Sequence, residues 1–228
     1  MRRLVGFALL ALAVVACSSS PGPVADPGLD GALIDAAARG DVDEVRALLS
    51  RGADFTAADA AGRTALIAAA YAAHIDAARV LLEAGADVNA QDSTRQSAYL
   101  IATSEIGAAA GLELLELTLL HGGDVSRLDS YNGTGLIRAA DRGYVDIVAR
   151  LLTTPIAIDH VNRLGWTALL EAIILGRGDD AHTEVVRRLL AAGADPDLAD
   201  RAGVSPLAHA RERGYAEMAR LIEAAGGR

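Results

Sequence analysis

The chain repeats itself, and the period of the repeat limits it to a narrow set of folds. Asp or Asn recurs at Asp26, Asp59, Asp92, Asp129, Asn162 and Asp200, spaced 33, 33, 37, 33 and 38 residues apart. Seven residues after each opener stands a large apolar residue: Leu33, Leu66, Tyr99, Leu136, Leu169 and Leu207. A later column comprises Leu49, Leu82, Leu120, Leu152 and Leu190. The copy from Asp59 to Gln91, DAAGRTALIAAAYAAHIDAARVLLEAGADVNAQ, reads as turn, helix, turn, helix and Gly-containing loop. Asp59 can close a turn on its own backbone, and Gly62 supplies a left-handed position. Thr64 can cap a first helix over about 65–72. A second helix follows over about 76–83 and stops at Gly85. Helices this short are marginal in isolation, so each unit must pack on its neighbours.

Repeats of about 33 residues with a T-P-L-H-x-A core are the ankyrin signature. The chain resembles ankyrin-repeat proteins over essentially all of residues 29–228. The resemblance rests on TALIAAA at Thr64–Ala70, GADVN at Gly85–Asn89, GAD at Gly193–Asp195 and SPL at Ser205–Leu207. It implies an all-α fold, an α-solenoid of about six stacked ankyrin repeats, each a helix-turn-helix with a loop or hairpin finger. Two departures stand out. The family's His after the Leu is replaced by Ile34, Ile67, Leu100, Ile137, Leu170 and Ala208, exchanging a hydrogen bond for apolar packing. The third and fifth copies carry about five extra residues between their two helices, near Ser104–Gly111 and Gly176–His182; the latter, polar and Gly-punctuated, reads as an exposed, mobile loop. Both ends look capped. The first copy has Gly31 in place of a Thr-bearing turn, and the last helix offers a polar face with Glu217, Arg220 and Glu223.

Ahead of the array, residues 1–16 (MRRLVGFALLALAVVA) combine a basic start, a short apolar run and a small final residue. That is an export signal, too short to span a membrane. Val14, Val15, Ala16 and Cys17 resemble the lipobox of bacterial lipoproteins, which implies cleavage before Cys17 and lipidation there. Ordinary cleavage at Ala16, releasing a soluble periplasmic protein, is the alternative. Ser18 after the cysteine implies sorting to the outer membrane, and acyl chains would make that anchor stable. Residues 17–28 are then a lipidated flexible tether, Ser-, Pro- and Gly-rich, and residues 29–228 the repeat domain.

Composition excludes several functions. Cys17 is the single cysteine, so neither an intrachain disulfide nor a Cys-based metal cluster is available. The net charge is −9 and no Lys occurs, which argues against nucleic acid as partner and against Schiff-base chemistry. His74, His121, His160, His182 and His209 include no pair at helical zinc spacing, and no phosphate-binding or nucleophile-elbow motif is present. No cofactor is expected. Asp179, Asp180, His182 and Glu184 could hold a cation, but read better as an acidic helix start. A hydrolase or metal-dependent enzyme on residues 176–184 is therefore a weaker reading, as is a purely structural envelope role.

In the ankyrin architecture, turn tips and first helices of successive repeats line one concave face. By resemblance, the positions facing a partner include Arg63, Tyr71, Gln96, Glu105, Tyr131 and Asp141, then Arg142, Arg163, Leu164, Trp166, Leu175 and Arg213. Trp166, the single Trp, is either a binding anchor or packed on the neighbouring turn near Tyr131 or Gly133. The expected function is protein binding by a monomeric, membrane-anchored periplasmic scaffold, as an adaptor or as an immunity-type inhibitor of a basic toxin.

Overall fold

The computed structural model describes residues 27–228. The export signal, Cys17, the opener Asp26 and nearly all of the tether lie outside the described residues. Pro27 and Gly28 open the first helix, a position where Pro loses no hydrogen bond.

Twelve helices, with no strand among the described residues, form six pairs. The pairs are α1 (Pro27–Arg39) with α2 (Val42–Ser50), α3 (Ala65–Tyr71) with α4 (Ile75–Glu83), and α5 (Ala98–Ser104) with α6 (Ala108–Leu120). They continue as α7 (Gly135–Arg142) with α8 (Val145–Leu151), α9 (Ala168–Ile174) with α10 (Asp180–Ala191), and α11 (Pro206–Glu212) with α12 (Ala216–Ala224). Odd-numbered helices pack on odd and even on even, so the array has two layers. The first apolar column is its spine: Leu33, Leu66, Tyr99, Leu136, Leu169 and Leu207 are each at most 3% exposed. The second column sits one residue off the innermost line, which Leu48, Leu81, Leu151 and Leu189 occupy. In the third copy the register differs further: Leu120 is 78% exposed, and Thr118 fills the buried site with its hydroxyl on the Leu115 carbonyl.

The turns are built as the openers predict. Each described opener accepts two backbone amides on one oxygen: Asp59 from Ala61 and Arg63, Asp92 from Thr94 and Gln96, Asp129 from Tyr131 and Gly133. Asn162 and Asp200 repeat this with Leu164 and Trp166 and with Ala202 and Val204. The left-handed position is glycine in Gly62, Gly165 and Gly203, but Arg95 and Asn132 take it at φ 64° and 62°. Thr64, Ser97, Thr134, Thr167 and Ser205 then cap the first helices. Neighbouring turns are tied by backbone in two places, Ser93 N–H to the Ala61 carbonyl at 2.9 Å and Arg163 N–H to the Tyr131 carbonyl at 2.8 Å.

In the third copy the insert is not a loop but lengthens the second helix, so that α6 has 13 residues against nine in α4. In the fifth copy it is divided: α10 grows to 12 residues, and residues 175–179 remain a connecting loop with Arg177 and Asp179 exposed. Ala108, Ala109 and Ala110 are strong helix formers that extend α6 toward its start. Asp179 caps α10, accepting the His182 amide at 2.9 Å. His182 is buried, with Nδ1 2.7 Å from Asp179 Oδ1 and Nε2 3.0 Å from the Asp141 carbonyl. Gly176 is buried as well, where a Cβ would strike the Ala172 carbonyl.

Candidate binding groove

On the face formed by turns and first helices, the opener's second oxygen meets the residue nine positions on. Asp129 Oδ2 accepts from Arg138 at 2.8 Å, and Asp200 Oδ2 contacts His209 Nε2 at 2.8 Å. In the fifth repeat the pair is reversed, Asn162 Nδ2 donating to Glu171 Oε1 at 2.7 Å. The second and third copies carry Ala68 and Ile101 at that position, and their openers find other donors. Asp59 pairs with Arg63 at 2.7 Å, and Asp92 accepts from the Tyr71 hydroxyl at 3.0 Å. The Arg63 amide and side chain hold Asp59 below its usual range. Burial alone would raise Asp92, but hydrogen bonds from Thr94 and Gln96 outweigh it and lower it.

The Asp129–Arg138 and Asn162–Glu171 pairs floor a groove of about 270 Å³ that spans the third to fifth repeats. Its charged members are Glu105, Asp129, Arg138, Asp141, Arg142 and Glu171. Tyr131, Leu164 and Leu175 form its apolar rim, 63%, 47% and 49% exposed. Isolated exposed apolar residues are ordinary; here three stand around one concavity. Arg138 spans two repeats, reaching Ser104 and Glu105 (2.6 Å) of the third while bound to Asp129 of its own. Glu171 is 4% exposed and meets no cation among the described residues. Burial first, then the charges of Asp141 and Asp129, push its carboxyl up to about 7 against the opposing bond from Asn162.

Of the positions singled out by resemblance, Glu105, Tyr131, Asp141, Arg142, Leu164 and Leu175 are brought together here. Arg63 and Tyr71 line a separate hollow of about 610 Å³ between the first and second repeats, where Asp30, Asp35 and Asp59 stand among small residues. Gln96, Arg163, Trp166 and Arg213 line neither: Trp166 is half-buried, Arg163 uses its amide to clasp Tyr131, and Arg213 leans on His209 Nδ1 at 3.2 Å. Arg138, Asn162 and Glu171 were missed in the sequence. Their signal was the opener column itself, because the one copy with Asn in place of Asp is the one with Glu nine residues on.

The loop around Asp179 and His182 is occupied by its own contacts, and among the described residues no group of three or more His, Cys, Asp or Glu side chains is arranged to hold a metal.

Comparison with known proteins agrees with the architecture. The family model described as ankyrin repeats (three copies) matches residues 9–92 and 105–200. The chain is 38% identical over 192 residues to the putative ankyrin repeat protein YahD of Escherichia coli K12, covering 84% of this chain and 94% of that protein. An ankyrin repeat domain of Acinetobacter baumannii AYE superimposes with a TM-score of 0.81 at 47% identity, over 86% of this chain and 98% of its own. The ankyrin repeat protein EF0377 gives 0.79 at 33% identity, over 85% and 97%. Arrays of this family serve as protein-interaction scaffolds. With six capped helix pairs, the opener turns and relatives spanning nearly its whole length, this chain belongs to the ankyrin-repeat proteins.

Proposed function

We propose that the protein is a membrane-anchored periplasmic scaffold, held by lipid on Cys17, that binds one protein partner through the groove of the third to fifth repeats. The observation that carries this reading is the coincidence of Tyr131, Leu164 and Leu175 around a floor of buried charge. Interface energy concentrates in such apolar anchors beside desolvated polar groups. The export signal and lone Cys17 support the location. An enzyme on residues 176–184 has less support, because Asp179 and His182 are engaged in capping and packing.

The test is in-cell crosslinking of the full chain, followed by mass spectrometry, beside a Leu164→Asp variant. A single partner at near-equal amount that disappears with Leu164→Asp is the expected result. A crosslinked set unchanged by that variant, or none at all, removes the scaffold reading. Separately, Cys17→Ser should move the protein from the membrane to the soluble fraction; continued membrane association would remove the lipid anchor.

A further inference from the structure

Four carboxylates line the groove (Glu105, Asp129, Asp141 and Glu171) against two guanidiniums, Arg138 and Arg142. Arg138 is already committed to Asp129, Ser104 and Glu105. Elsewhere on this face the acids at opener positions have partners with a positive or donating head: Arg63 on Asp59, Tyr71 on Asp92, His209 on Asp200. Glu171 has an amide, and the charges that act on it are those of Asp129, which Arg138 binds, and of Asp141, whose own cation Arg142 stands off at 3.8 Å. A buried carboxylate without a cation is costly, and a cation that meets it in good geometry offsets part of that cost. Beside it, Leu164 and Leu175 present half-exposed aliphatic surface of the kind that the stem of a long basic side chain covers. The volume, about 270 Å³, is at the bottom of the range for small-molecule sites and suits a single inserted side chain.

We infer that the groove is a receptor for an arginine side chain of the partner protein, its guanidinium meeting Glu171 and Asp141 and its stem lying on Leu164 and Leu175. This rests on the reading of the groove as the partner-binding face. Arginine fits better than lysine because its planar fork can engage two carboxylates at once. Binding is then pH-dependent. Only ionised Glu171 attracts the cation, and its carboxyl sits at about 7. The other titratable groups around it are Glu105 beyond α5, Asp129 in the fourth turn, Arg138, Asp141 and Arg142 on α7, His182 on α10 and His209 on α11.

The probe is N-acetyl-argininamide, titrated into the 15N-labelled full chain in detergent micelles and followed by amide shifts. At pH 8 it should shift Leu164, Glu171 and Leu175 saturably, and its apparent Kd should rise about tenfold at pH 6, following the ionised fraction of Glu171. N-acetyl-citrullinamide, the neutral isostere, should produce no saturable shift. Glu171→Gln should abolish the argininamide response, and Asp141→Asn, which leaves the Asn162–Glu171 bond in place, should weaken it severalfold. An equal response to citrullinamide overturns the proposal even if the variants fail to fold, as does a Glu171→Gln protein that binds argininamide normally. If argininamide fails while Leu164→Asp still loses a crosslinked partner, the arginine receptor falls and the scaffold stands. If argininamide binds and no partner is found, the groove takes a guanidinium, but the scaffold falls and the partner's arginine with it.

Discussion

At position 162 an aspartate would set two carboxylates 2.7 Å apart, since the opener's second atom there faces Glu171. Like charges at that distance must share a proton, so the Asn replaces the usual Asp for an electrostatic reason. Asn162→Asp should leave the turn's amide bonds to Leu164 and Trp166 available, yet destabilise the protein by about 1–3 kcal/mol at pH 8. Urea unfolding at pH 8 and pH 5 checks this, with most of the loss recovered at pH 5. Glu171 itself carries a definite sign. Its carboxyl is raised from 4.5 to about 7 on folding, so the folded state holds a proton that the unfolded state releases. Its contribution to stability therefore falls as pH rises from 4.5 to 7, by on the order of 2–3 kcal/mol in all. Glu171→Gln should match the parent at pH 4.5 and exceed it at pH 8, as melting curves would show. The opener Asp59 has the opposite sign: its carboxyl is held below 3.8, so its stabilisation is present above that pH and lost as pH falls through the lowered value. Column spacing revealed the openers. It did not reveal that the ninth residue answers them, because the residue type there changes from copy to copy: Ala68, Ile101, Arg138, Glu171 and His209.

Among the elements, the long second helices show where local reading ran out. The stretch Ser104–Gly111, read as an insert between helices, ends inside one. Gly107 is the N-cap of α6, and Gly111 lies within it as a packing residue, where a Cβ would strike the Ala102 carbonyl and press Ile147 Cδ1 at 3.0 Å. A helix interior prefers Ala over Gly by about 1 kcal/mol, but overpacking against backbone costs about 1–3 kcal/mol. Gly111→Ala should therefore destabilise, whereas Gly31→Ala in α1, with open space around it, should stabilise by about 0.5–1 kcal/mol. Chemical denaturation of the two variants decides the comparison. Tyr99 poses the same problem across two repeats. It is the one aromatic in the Leu column, fully buried, with its hydroxyl occupying the space where a Gly135 Cβ would stand. Gly135→Ala should be costly in the parent and tolerated after Tyr99→Leu, a coupling that a double-mutant cycle would read as more than 0.5 kcal/mol. Each residue alone was visible in the sequence as an oddity; the packing that makes them one event was not.

For the whole molecule, the six helix pairs and the handover from turn to helix were legible, since stacked arrays carry their architecture in a short period. The sixth pair packs with Met218 and Ile222 inward and Arg220 outward, and the Arg228 amide is bound to Asp197 at 2.7 Å. Removing residues 216–228 would bare the α10 and α11 surfaces that α12 covers, and should lower the melting temperature well beyond any single surface change. The site was less legible, because the resemblance gave a face but not the hollow within it, and six of twelve named positions converged there. The pairing of turns also has a mechanical side. Backbone clasps join the second turn to the third and the fourth to the fifth, whereas the third and fourth repeats are bridged on this face by the long side chain of Arg138 and by Gln91 Nε2 on the Leu128 carbonyl at 3.2 Å. A side-chain strut with several rotatable bonds is a softer spring than a peptide-to-peptide bond, so of the two seams the groove spans, the one between the third and fourth repeats should yield before the clasped one between the fourth and fifth. The groove straddles that softer seam, and whatever occupies the groove sets the tension of the spring.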